Sequence, residues 1–481
     1  MRYLSFVFIL LLPLLTAPDG ADARQKGIRQ IIQEGGASDS FWSVVVMDRD
    51  GGILEAVEPD RLVRPASIQK LLVTAAYLQE LGSDYTFETT LCGVGGQEDT
   101  VWRGDLIVRG GGDPSINDDF YSDPLFLFEK WAAALADEGI ERIEGDLIAD
   151  DSRFDDQPWP RGWEWDDLSF YYAVELSALS FNKNVVNLDV FADGPPGSRP
   201  EIRWFPFNTD YIDFINEQLI TGPETAYDES YRRLPGTNTI LLRSTLPQGY
   251  VEEEPLSIHN PSLYFVDTFL RYLDQRGITV EGELKVNPPE VSYRESPCRF
   301  IDRHESVPVS EMIRQVNTES DNFYAEMLAK ELAVEAYGTP GTTENGLKAI
   351  EGYLQTVGVD TSRVYMRDAS GMAPANLIRA SDVNRVLVEM ARSDKFEIYL
   401  ASLAEAGRSG TLEHRFGGSP IRGHFYGKTG YLSGVRSLAG YLQARTGREI
   451  VVTIFTNNYT MRTSAMDRLH ERILEYLYAV Y

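Results

Sequence analysis

Ser67 and Lys70 stand three residues apart in Ser67-Ile68-Gln69-Lys70. On a helix such positions share a face, with their β-carbons about 5–6 Å apart. A neutral lysine there can take the serine proton, provided that burial or a nearby cation lowers its pKa. Two more triplets follow along the chain, Ser320-Asp321-Asn322 and Lys428-Thr429-Gly430. The first joins a second hydroxyl, able to relay a proton, to an amide able to hydrogen-bond a substrate amide. The second joins a cation to a hydroxyl, a combination that grips a carboxylate. Together they supply the parts of a serine acyl-transfer site. Lys428 can be the cation that lowers Lys70. Ser67 at a helix N-terminus gains from the positive end of the dipole. The backbone N–H groups of Ser67 and Tyr431 can form an oxyanion hole, and Gly430 lets a substrate backbone approach closely.

Each triplet also has a plainer reading. Ser-x-x-Lys recurs at Ser180-Phe181-Asn182-Lys183, where a structural role is the simpler assignment. Ser67 is preferred because Pro65-Ala66 precedes it and an apolar helical run follows it. Judged alone, Ser320-Asp321 is a helix cap. Lys428 read alone is a surface lysine beside a turn. The Lys-Thr-Gly triplet occurs once and discriminates best.

The elements that must position these residues come from both ends of the chain. Phe41–Met47 predicts a strand, Asp48–Gly52 a turn and Ile53-Leu54 a return strand. Leu71–Leu78 is apolar on nearly every face, as in a buried helix. After about Thr89, Gly, Asp and aromatic residues rise and short strand-like pieces alternate with turns. A helix is predicted over Phe126–Leu135, with strands near Gly145–Ile148, Asn182–Phe191 and Thr239–Arg243. Helices return at Pro308–Val316, Asn322–Tyr337, Thr343–Val357 and Arg379–Arg392. Strands follow at His424–Lys428, Arg436–Arg445 and Glu449–Asn457, and a last helix at Thr463–Tyr478. An α+β fold explains this order: an antiparallel sheet flanked by helices and interrupted by a large β-rich insertion. The expected division is 24–90 with 298–481 as one discontinuous domain, and 91–297 as the insertion, in two units.

The first 23 residues read as a signal peptide. Met1-Arg2 is a positive start, Phe6–Leu15 a short apolar run broken by Pro13, and Ala21-Asp22-Ala23 a small-x-small cleavage pattern. The alternative is an uncleaved anchor. No later segment has the length and apolarity of a membrane helix. Export to the periplasm or cell envelope is expected. Cys92 and Cys298 either pair across the ends of the insertion, as an exported protein allows, or stand as separate thiols. Neither they nor the five histidines have metal-site spacing, and no cofactor is expected. The formal charge of −28 opposes nucleic acid as a partner. Only 9 of the 45 basic residues are lysines. Lys70 and Lys428 are among them, and arginine could not replace Lys70 as a base.

At this point the chain resembles the low-molecular-mass class C penicillin-binding D-alanyl-D-alanine carboxypeptidases. The three triplets match the signature shared by penicillin-binding proteins and class A β-lactamases. Further family-like stretches are Gly104-Asp105-Leu106 to Gly112-Asp113-Pro114, Gly145-Asp146-Leu147 with Asp151-Ser152, Ser177–Asn182, and Asp368-Ala369-Ser370-Gly371-Met372. The long gap between Ser67 and Ser320 matches as well, since class A β-lactamases lack so large an insertion. The resemblance implies a β-lactamase/transpeptidase-like domain. It implies serine-type hydrolysis of D-Ala–D-Ala in peptidoglycan stem peptides, with endopeptidase action on cross-links, and acylation of Ser67 by substrate or by β-lactam antibiotics. Ala369, Ala373 and Pro374 depart from the family pattern and bear on which stem-peptide side chain is recognised. The alternatives are a β-lactamase or esterase with the same nucleophile, or a catalytically silent peptidoglycan-binding protein.

Overall fold

The computed structural model describes residues 27–207, 209–287 and 297–481; the expected signal peptide lies outside them. Six antiparallel strands form the principal sheet, in the order Ala404–Glu405, Phe425–Leu432, Val435–Gln443, Glu449–Asn457, Phe41–Asp48, Ile53–Val57. The two ends of the chain meet at its centre, where Val44 stands opposite Ile454.

Side chains alternate across a strand, and here both faces are covered. Val44, Val46, Ile450, Val452 and Ile454 pack toward the Ile28–Glu34 and Thr463–Val480 helices. Val45, Met47, Val451 and Phe455 join the opposite core with residues of the Gln69–Glu80, Asn322–Tyr337 and Ala380–Arg392 helices. Burial on both sides accounts for the unbroken apolar runs of these strands. Leu71–Leu78 are wholly buried, as an apolar helix with no polar face requires.

The central excursion leaves along Glu88–Glu98 and returns along Arg299–Glu305, which pair antiparallel with Cys92 opposite Phe300. Cys92 and Cys298 form a disulfide across this stem. Among the described residues, the stem strands belong to a seven-stranded mixed sheet, and beyond it lie two three-stranded sheets and one strand pair. Their apolar side chains share one core with the Phe126–Asp137 and Pro261–Gln275 helices. Among the described residues, no helix is long and apolar enough to cross a membrane.

Three local features add to or correct the expectations. The Val309–Arg314 helix runs into a π-helical turn over Gln315–Glu319. Ser320 closes that turn with a left-handed φ of 71°, so the hydroxyl sits on the link between the two helices. Asp321 alone caps the next helix, accepting the Tyr324 N–H. Second, the Lys428 strand is an edge only along half its length. Ala404–Glu405 covers it at Gly427 and Tyr426, leaving the stretch from Lys428 onward without a strand neighbour on that side. Third, Asn182–Asn184 is a short left-handed turn before the Val185–Phe191 strand.

Candidate active site

Pro65, Ala66 and Ser67 turn the chain sharply into the Gln69–Glu80 helix. Ala66 takes a φ of 50°, and a 3-10 turn over Ala66–Ile68 precedes the helix proper. The Phe425–Leu432 strand packs directly on this turn. A β-carbon at Gly430 would lie 2.9 Å from the Pro65 carbonyl oxygen and 3.1 Å from the Ala66 Cβ. Sequence alone assigns the smallness of Gly430 to an approaching substrate; the structure assigns it to contact with the turn that carries Ser67.

Lys70 Nζ lies 3.0 Å from Ser67 Oγ, 2.6 Å from Asn322 Oδ1 and 2.7 Å from the Ser370 carbonyl oxygen. A neutral amine has two N–H groups and one lone pair. Asn322 and Ser370, which can only accept here, take the two N–H groups, and the lone pair is left facing the Ser67 hydroxyl. Lys70 is fully buried. That burial lowers its pKa to about 8, while Asp368, Glu326 and Asp321 pull in the opposite direction.

Lys428, also fully buried, donates to the Thr429 carbonyl oxygen at 3.1 Å. Its pKa falls well below the lysine range, through burial first and then through Lys70 and Arg436, with Glu319 opposing. Burial is thus the first cause of the lowering at both amines, and their mutual repulsion adds to it.

Ser67, Ser320, Asn322, Thr429 and Tyr431 line one cleft of about 1210 Å³. Among the described residues, the Ser320 hydroxyl bonds neither Lys70 nor Ser67; it borders the cleft free to meet a ligand. Asn322 departs from expectation. Its Oδ1 is held by Lys70, while its Nδ2 donates to the Tyr172 carbonyl at 2.8 Å and reaches Met372 Sδ at 3.5 Å. The amide is engaged by the protein at both ends.

The far wall of the cleft comes from the insertion, which sequence reasoning did not connect to the site. Glu164, Asp167, Tyr171, Tyr172 and Lys183 line it. Trp163 Nε1 donates to Asp368 at 2.9 Å, tying the insertion to the Asp368–Gly371 loop. Lys183 pairs with Asp119 at 3.1 Å and with Asp321 at 3.7 Å. The one available signal was the crowding of aromatic residues between Trp159 and Tyr172. The serine of the second Ser-x-x-Lys serves structure, because Ser180 is buried, donates to the Ser177 carbonyl and accepts from Asn184.

A serine beside a buried lysine whose pKa is lowered, on an α+β fold whose sheet joins both chain ends, defines a serine acyl-transfer enzyme of the penicillin-binding class. The chain belongs to the D-Ala-D-Ala carboxypeptidase 3 (S13) family, which it matches over residues 24–475. It is 28% identical to a D-alanyl-D-alanine carboxypeptidase of Actinomadura sp., over 99% of this chain and 90% of that one. It is 27% identical to the D-alanyl-D-alanine carboxypeptidase DacB of Haemophilus influenzae, over 82% of this chain and 80% of that one. In fold it resembles the crystal structure of penicillin binding protein 4 from Haemophilus influenzae, with a TM-score of 0.82 at 23% identity, covering 94% of this chain and 99% of that one. A structure of the same Haemophilus protein complexed with a β-lactam gives a TM-score of 0.75 at 22% identity, with the same coverage.

Proposed function

We propose that this protein cleaves the terminal D-Ala–D-Ala bond of peptidoglycan stem peptides through an acyl-enzyme on Ser67, with endopeptidase action on cross-links and acylation by β-lactams at the same serine. The observation that carries this reading is the Lys70 amine, buried, 3.0 Å from Ser67 Oγ, with fixed acceptors for both of its N–H groups. Ser67 Oγ attacks the carbonyl of the penultimate D-alanine and its proton passes to Lys70 Nζ. The Ser67 and Tyr431 N–H groups stabilise the oxyanion. Collapse breaks the amide bond, the proton taken up by Lys70 passes by way of the Ser320 hydroxyl to the leaving D-alanine nitrogen, and water then hydrolyses the ester, giving its proton to the neutral Lys70 amine and returning the Ser67 hydroxyl. Lys428 and Thr429 hold the substrate carboxylate, whose negative charge favours the protonated form of Lys428 that burial disfavours. Gly430 brings that strand against the Ser67 turn, and Asn322 steadies Lys70 at the substrate's edge.

The same reading takes 24–90 with 298–481 as the catalytic part and 91–297 as the insertion that builds the far wall. It places the protein outside the cytoplasm, in the periplasm or cell envelope; the Cys92–Cys298 disulfide supports an oxidising compartment. Release of D-alanine from a synthetic peptide ending in D-Ala-D-Ala tests the assignment. The unchanged protein is expected to release it and Ser67→Ala to lose the activity. Full activity in Ser67→Ala contradicts the assignment.

A further inference from the structure

Glu326 is a fully buried carboxylate that the proposed chemistry leaves unused. It lies one helical turn beyond Asn322 on the Asn322–Tyr337 helix, and positions i and i+4 share a face. Its Oε1 accepts the Ala369 N–H at 2.9 Å and the Ser370 N–H at 2.7 Å, and its Oε2 accepts the Ala369 N–H at 3.1 Å. The carbonyl of that same Ser370 accepts from Lys70. One face of one helix thus governs both acceptors of the Lys70 amine: Asn322 directly, and Ser370 through the peptide that Glu326 grips.

We infer that Glu326 is a positioning residue for acylation: its carboxylate fixes the Ser370 carbonyl, and so turns the lone pair of Lys70 toward Ser67. The inference rests on the reading of Ser67 and Lys70 given above. A second carboxylate completes the clamp. Asp368 accepts the Gly371 N–H at 3.0 Å and the Ala373 N–H at 2.6 Å, and it is held in turn by Asn376 and Trp163. Gln69, next to Lys70, also donates to the Asp368 carbonyl.

The charges facing this cluster are Lys70 on the Gln69–Glu80 helix, Asp368 in the loop, and Asp321 at the start of Glu326's own helix. Burial, then Asp368, pushes Glu326 up to about 8, with the Ser370 and Ala369 hydrogen bonds opposing. Glu326 in its ionised form raises Lys70. Removing its charge therefore lowers Lys70 further, while removing its grip loosens the Ser370 carbonyl. The two effects separate in a pH profile. A residue serving the fold alone would move neither the limb nor the rate of the folded protein.

The test is the rate of Ser67 acylation by a fluorescent penicillin, measured from pH 5 to 10 on the full chain, with thermal melting as a check on folding. For Glu326→Gln the acid limb is expected to move to lower pH by at most about one pH unit, because Glu326, itself pushed up to about 8, carries only part of its charge where Lys70 titrates. The plateau rate is expected to fall by about tenfold to a hundredfold, as for a misplaced catalytic group. An unmoved limb with an unchanged plateau in a folded variant overturns the inference. If Glu326→Gln does not fold, Glu326→Asp is read in the same assay. It keeps the charge and shortens the reach, so a slower plateau with the limb in place is expected, and an unchanged plateau overturns the inference. Unchanged protein that takes no label at Ser67 overturns the reading of the site itself, and the inference with it.

Discussion

Gly371 lies back to back with Ala66. A β-carbon on Gly371 would sit 2.0 Å from the Ala66 carbonyl oxygen and 3.2 Å from the Ser67 nitrogen, and its φ of +83° already suits glycine alone. The loop that offers Lys70 the Ser370 carbonyl therefore touches the turn that presents Ser67. This contact links the nucleophile and the amine through segments that lie far apart in the chain.

Gly371→Ala should cost about 1–3 kcal/mol of stability through the left-handed conformation it would have to keep. The clash with Ala66 should also displace Ser67 from Lys70. Thermal melting and the rate of penicillin labelling check this, with both expected to fall. A variant with the melting temperature and labelling rate of the unchanged protein would show that the contact is slack.

Acylation should depend on pH through Lys70. The amine works in its neutral form and its pKa is lowered to about 8, so the rate should rise as pH increases through about 8 and level off above it. Well below that value the rate should fall about tenfold for each further pH unit. Stopped-flow labelling across this range checks the sign. A rate that declines as pH rises from 6 to 8 would exclude a neutral amine as the base.

Lys428 should recognise the substrate by its free carboxylate. Charge-assisted hydrogen bonds of this kind contribute about 1.5–3 kcal/mol, or about 10–150-fold in kcat/KM. Lys428→Ala should lose that much on a peptide ending in D-Ala-D-Ala and little on the same peptide capped as an amide. Equal losses on both would assign Lys428 to the electrostatics of Lys70 instead.

The Cys92–Cys298 disulfide spans a sequence separation of 206 residues at the stem of the insertion. Its removal should cost about 2–5 kcal/mol. Cys298→Ser should therefore melt at a lower temperature than the parent protein while still labelling at Ser67 when folded. An unchanged melting curve in reductant would show that the strand pairing between Glu88–Glu98 and Arg299–Glu305 holds the stem unaided.

Ser67, Lys70 and Lys428 could be read from the chain because their chemistry lies in residue type and short spacing, and Leu71–Leu78 announced its burial by having no polar face. Glu326 could not, since one glutamate on a mostly buried helix carries no mark until the Ser370 peptide is seen against it. The insertion's hold on the site was hidden for the same reason. The Tyr172 carbonyl, Trp163 and Lys183 meet Asn322, Asp368 and Asp321 only through tertiary packing. Ala404–Glu405, two residues long, was too short to leave a periodic signal. The pairing of Cys92 with Cys298, left open by the sequence, follows from the antiparallel stem that brings them together.

The most direct measurement is to react the mature protein with a labelled penicillin, digest it, and locate the adduct by mass spectrometry. A single penicilloyl group on the peptide that carries Ser67, absent from Ser67→Ala, is the expected result. An adduct on Ser180 or Ser320 with Ser67 unmodified would contradict the pairing of Ser67 with Lys70 on which the chemistry rests.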